Sequence, residues 1–150
     1  GKVSTTIKVG KIFSDRSALL QSISKDIKSG HTYSDMTSKS LIVHECTHAL
    51  EINLTLKEMK IDAKQVTDSQ WIEFKNKYGF ISGEIKEQAM KNLNIEFMHP
   101  KWYKMYKDLG NYAKINSNEF LAQCISQVLT TENPSEIALE VFKLLKERIK

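Results

Sequence analysis

His44-Glu45-Cys46-Thr47-His48 places two imidazoles four residues apart, with a carboxylate beside the first. On a helix, positions i and i+4 lie one turn apart on one face, so both rings can address a single metal ion. Zinc favours imidazole nitrogen at about 2.0–2.1 Å, and a catalytic zinc keeps one position for water. Glu45 can reach such a water without occupying the metal and act as its general base. At average residue usage the pattern arises by chance in roughly a few chains of this length per thousand. Here it takes two of the four histidines and falls in a strongly helical run. The competing reading is a pair of core histidines satisfied by hydrogen bonds, and the setting favours the metal.

Two histidines do not complete a site. His31 and His99 can be considered for the third place, but each falls in a segment that reads as loop. No HExxHxxGxxH extension follows His48, which removes the all-histidine arrangement. A carboxylate from a second helix is the other standard solution. Glu119 sits just off the apolar stripe of the clearest later helix, and on residues alone it is preferred. Its spacing from Asn116 also fits a capping box, which would employ it at the helix N-terminus instead. Glu51 lies on the same helix as the histidines, nearly a full turn beyond His48. For a hydroxyl that donates to a developing oxyanion, Tyr103, Tyr106 and Tyr112 all compete.

Residues 40–57 and 109–149 resemble the catalytic domain of the anthrax-lethal-factor-like zinc metallopeptidases, which include the secreted Pro-Pro endopeptidases. That family carries HExxH-Ala on a helix, a variable insert, Tyr-x6-Glu-Phe-x-Ala and a closing amphipathic helix. This chain has His44 to Ala49, then Tyr112, six residues, and Glu119-Phe120-Leu121-Ala122. The resemblance implies His44, His48 and Glu119 as zinc ligands, Glu45 as general base and Tyr112 as the oxyanion donor. It implies a zincin-like metallopeptidase domain acting on a protein or peptide substrate. It also favours a secreted or delivered protein, toxin-like or phage-associated. Two departures stand out: Thr47 occupies a position where the family commonly has Gly, and Gln123 replaces an acidic residue. Gln123 can still hydrogen-bond to a ligand, but without charge. Seventy residues separate His48 from Glu119, and they are expected to form a helical insert around 62–108 beside the cleft.

The elements that must position these residues are mostly helical. Thr5 to Val9 alternates as a strand ending at Gly10. Ser14 caps a helix carrying Leu19, Leu20, Ile23 and Ile27, with Gly30 as its stop. Residues 31–38 read as a polar loop or a short edge strand around Thr32 and Tyr33. Either strand could pair with an extended substrate. The run from Ser38 or Lys39 to Lys60 has no Gly or Pro and predicts a long helix buried on much of its circumference. Asp68 predicts the cap of a short helix with Trp71, Ile72, Phe74 and Tyr78, broken at Gly79, and a further helix covers Gly83 to about Asn94. Pro100 opens another, carrying Trp102, Tyr103 and Tyr106 and stopping at Gly110. Asn116 or Ser117 starts a helix with Phe120, Leu121, Cys124, Ile125, Val128 and Leu129 in one stripe. Asn133-Pro134 opens the last, with Ile137, Ala138, Val141, Leu144 and Leu145 inward. The fold class expected is mainly α with a small N-terminal β element, in one domain spanning 1–150.

Composition sets the remaining limits. The 150 residues are 41% hydrophobic and 27% charged, which is ordinary for a folded domain. No apolar run approaches the roughly 18 residues a membrane span needs. The chain begins Gly1-Lys2-Val3 without Met, which reads as a processed or excised piece. A formal +4 carried almost wholly by scattered lysines, with Arg only at 16 and 148, argues against a nucleic-acid partner. Cys46 and Cys124 lie far apart and read as buried free thiols rather than a disulfide framework. Quaternary state leaves no mark in the sequence. Two other readings use the same metal site: a non-catalytic, zinc-stabilised structural or interaction module, and an intracellular regulatory metallopeptidase.

Overall fold

Capping side chains and glycines set off six α-helices among the described residues of a computed structural model, which are residue 6, residues 10–62 and residues 64–150. After a 3-10 turn at Lys11–Ser14 come α1 (Arg16–Lys28), α2 (Ser38–Glu58), α3 (Asp68–Asn92), α4 (Pro100–Leu109), α5 (Ser117–Thr130) and α6 (Glu136–Ile149). The protein is mainly α, with no strand among the described residues. The expected strand at Thr5 to Val9 lies outside those residues, apart from Thr6. No helix among the described residues is long and apolar enough to cross a membrane.

Four boundaries differ from expectation. Asp15, not Ser14, caps α1 by accepting the Ala18 amide at 3.0 Å. Thr67, not Asp68, caps α3, and Gln70 returns the bond to the Thr67 amide at 2.9 Å. More important, α3 runs unbroken through Gly79 and Gly83, where two helices were expected. A helical glycine costs only about 1 kcal/mol, and a 25-residue helix packed on the core absorbs that. The last helix begins at Glu136 behind a Ser135 cap, two residues past Pro134. Elsewhere the signals hold: Pro100 occupies the first turn of α4, Gly110 ends it at φ +88°, and the Asn116 side chain caps α5.

Helix α5 is the axis of the molecule. Every residue from Phe120 to Gln127 is buried, because α2, α3, α4 and α6 surround it. The core joins Leu54 of α2, Ile81, Ile85 and Ala89 of α3, Met105, Tyr106 and Leu109 of α4, and Ile137, Ala138, Val141 and Leu145 of α6. Each of the Leu, Ile, Val and Met side chains among them stabilises by about 1.5–3 kcal/mol when fully buried. Helix α3 and most of α4 fall within 62–108, and α3 is an integral wall of this core. Arg148, near the end of α6, ties three helices by bonding Glu58 at 2.5 Å and Glu84 at 2.6 Å.

The long helix α2 departs from its apolar pattern. Its buried face is polar through the first three turns, formed by Ser40, His44, Thr47 and Glu51, and turns apolar only at Leu54. Ile42 is 54% exposed, and Cys46 is exposed rather than buried. Leu129 at the end of α5 is exposed as well. Apolar residues on α2 do not mark the inward face, because Ser40, His44 and Glu51 find partners on α3 and α5 while Thr47 bonds back to the Val43 carbonyl of α2 itself.

Candidate metal centre

His44 and His48 project from one face of α2 towards the first turn of α5. The His44 ring is nearly inaccessible, and its Nδ1 lies 3.1 Å from Gln123 Oε1. A carboxamide oxygen only accepts, so Nδ1 carries the proton there and Nε2 is the nitrogen presented to the site. Gln123 is itself held in place, donating its Nε2 to Thr32 Oγ1 and to the Leu109 carbonyl, each at 3.2 Å.

Glu119 meets both rings. Its Oε2 stands 2.8 Å from His44 Nε2 and 3.3 Å from His48 Nε2, and the two Nε2 atoms are 3.3 Å apart. The three ligand atoms lie within 4.8 Å of one another and can hold a metal ion. Three lone-pair atoms aimed at one point repel unless a cation or protons sit between them, so the donor set fits a metal. The helix cap does not compete for Glu119. Asn116 Oδ1 accepts the Glu119 amide at 2.8 Å, which leaves the Glu119 carboxylate free to turn to the histidines.

The electrostatics follow from that arrangement. Burial pushes the Glu119 carboxyl up, but the hydrogen bonds and charges of His44 and His48 hold it down at about 2. Burial works to lower His48, yet the Glu119 bond and the charges of Glu119, Glu45 and Glu51 raise it above the ordinary 6.5. Tyr112 is raised above 10 by burial, then by the charge of Glu119 and a hydrogen bond to it, so its hydroxyl stays protonated.

Tyr112 and Glu45 both line a cavity of about 210 Å³ next to His44. The Tyr112 ring lies 5.6 Å from that of His44 and 4.8 Å from that of His31. It is set by a short strap in which the Asn111 amide donates to Gly30 O (2.8 Å) and the Tyr112 amide to His31 O (2.9 Å). This pairing is too short to be the edge strand considered for Thr32 and Tyr33, since the His31 amide is already used by the Asp26 carbonyl. Gly110 makes the approach feasible. A Cβ there would stand 2.4 Å from Thr32 Cα. Tyr33 secures the strap to α5 through its hydroxyl, 2.8 Å from Ser126 Oγ.

The other candidates go elsewhere. His99 is exposed and sits 3.5 Å from Glu96, while His31 contributes its ring to the cavity wall and not to the metal group. Tyr103 packs on Trp102, and the buried Tyr106 accepts a hydrogen bond from Lys86. Glu51 is 1% exposed and accepts bonds from the Ser82 amide and the Asn118 side chain, both at 3.1 Å. Sequence reasoning missed Thr32, Gly110 and Ser126 as the supports of the site. Only Gly110, two residues before Tyr112, carried a local signal. Comparison with protein-family models, curated proteins and solved structures returned no match for this chain.

Proposed function

We propose that this chain is a zinc-dependent endopeptidase with a zincin-like domain, of the type its resemblance to the lethal-factor-like metallopeptidases implies. The observation that carries the reading is the convergence of His44, His48 and Glu119 beside a cavity that Glu45 and Tyr112 share. Two imidazoles and a carboxylate form a donor set suited to zinc. When bound, the zinc supplies Lewis acidity, polarising a carbonyl and making a water acidic enough to attack near neutral pH.

The chain's own groups do the rest. Glu45 follows His44 on α2 and is exposed in the cavity, so it can take a proton from the attacking water. It then returns that proton to the leaving amine, which closes the proton balance of the hydrolysis. Tyr112 stays protonated across the physiological range and donates to the carbonyl oxygen as negative charge develops there. His44 is held in its donor tautomer by Gln123 and needs no reorganisation.

The test uses zinc-loaded protein and a mixed peptide library. Glu45→Gln is expected to retain about one zinc per chain by elemental analysis and to lose roughly a hundred- to ten-thousandfold in cleavage rate. Equal cleavage by that variant removes the mechanism. Bound zinc with no peptide cut by the wild type would make the site a structural zinc module instead.

A further inference from the structure

The cavity beside the metal group, about 210 Å³, is below the size of a whole-ligand pocket and matches one long side chain. Met36 and Leu41 give it an apolar wall. Asp26 and Glu45 give it two carboxylates, and no Lys or Arg is among its lining residues. Glu45 already has work in the proposed hydrolysis; Asp26 has none.

Asp26 follows the buried Leu19 and Ile23 of α1 by seven and three residues, so it shares their inward face. Its backbone carbonyl accepts the His31 amide at 2.9 Å, which fixes its place beside the strap. Among the described residues no hydrogen bond or ion pair engages its carboxylate. A partly buried acidic residue that lines a cavity with no Lys or Arg in its wall gains by pairing with a basic group that enters.

We propose that Asp26 makes this cavity a subsite for a basic side chain, Lys or Arg, of the peptide next to the bond that is cut. The assignment rests on the peptidase reading. The aliphatic stem of the incoming side chain lies along Met36 and Leu41, and its charged head meets the Asp26 carboxylate. An acidic side chain meets two carboxylates and is rejected, so the same residues supply attraction and exclusion.

The test separates binding from cleavage. End-blocked Ala-Ala-X-Ala-Ala peptides, with X as Lys, norleucine or Glu, are titrated calorimetrically into zinc-loaded Glu45→Gln protein and incubated with zinc-loaded wild type. The Lys peptide is expected to bind at least about tenfold more tightly than norleucine, and Glu more weakly than either. Asp26→Asn should bring Lys within about twofold of norleucine, while Asp26→Glu, which keeps the charge, should preserve most of the preference. Equal binding of Lys and norleucine, or a preference unchanged in Asp26→Asn, overturns the subsite. Cleavage of all peptides alike by wild type and of none by Glu45→Gln would overturn the subsite and keep the peptidase. A Lys preference that Asp26→Asn removes, with no peptide cut, would keep the subsite and overturn the peptidase.

Discussion

Glu51 of α2 and Glu119 of α5 are both turned into the junction between those helices, yet their surroundings give them opposite characters. Glu51 is shut away from solvent and accepts from a backbone amide of α3 and a side-chain amide of α5, so it staples three helices. Burial pushes its carboxyl up from the ordinary 4.5. Glu119 keeps an 18% exposed side chain and faces two imidazole nitrogens, which hold it down at about 2. Neither residue type nor helical position separates a structural carboxylate from a candidate metal ligand. The partners do: fixed N–H donors consume the lone pairs of Glu51, while the imidazoles that face Glu119 carry titratable protons whose place a metal ion can take.

Replacing each carboxylate should pull the two roles apart. Glu119→Ala is expected to weaken zinc binding by about a hundredfold or more, beyond the loss seen for residues that only support ligands. It should leave the fold in place, since Asn116 still caps α5. Metal titration with circular dichroism checks both halves, and retained zinc affinity would exclude Glu119 as a ligand. Glu51→Ala should do the reverse. Removing a buried acceptor and its volume costs about 3 kcal/mol, or a Tm lower by about 6–12 °C. Zinc stoichiometry should stay unchanged. Loss of metal in that variant would show that the two carboxylates act as one unit.

Smaller changes sharpen the contrast. Gln123→Ala removes the acceptor that fixes the His44 tautomer and is expected to weaken zinc by about 10–100-fold, measured by competition with a chelator. Acidification should act through His48. Its pKa is raised above the ordinary 6.5 despite burial, by the Glu119 bond and the nearby carboxylate charges, so zinc must displace a proton held more tightly than on a free imidazole. Apparent affinity is therefore high above that raised value and falls by about tenfold per pH unit below it. A flat profile between pH 5 and about 7 would mean that His48 is not a ligand. The smallest effect concerns stability alone. Gly83→Ala in α3 gives a Cβ in ordinary contact with Ser117 Oγ at 3.8 Å, and should stabilise by about 0.5–1 kcal/mol in thermal melts.

Much of the helical frame was legible locally. Pro100, Gly110 and Asn116 mark boundaries through backbone geometry and orphan amides, and those forces act within a few residues. The stripe on α6 was read correctly because an apolar face against a core has one period. The reading of α3 as two helices failed because glycine is a weak local signal that long-range packing of Ile81, Ile85 and Ala89 overrides. Cys46 was expected inside because its neighbours are apolar, but α2 turns its polar residues inward and leaves Cys46 in solvent.

By itself the sequence determined that two imidazoles share a helix face, that Glu45 stands beside them, and that a capped helix beginning at Asn116 carries a carboxylate in its first turn. Those facts depend only on residue identity and helical period. Which carboxylate meets the histidines, which tyrosine stands over them, and which residues hold the tyrosine there were decided by tertiary structure. The Glu119, Gln123 and Thr32 contacts join residues 75 to 91 positions apart along the chain. Such contacts exist only once α2 and the strap close on α5, and no local pattern records where buried donors and acceptors will find each other.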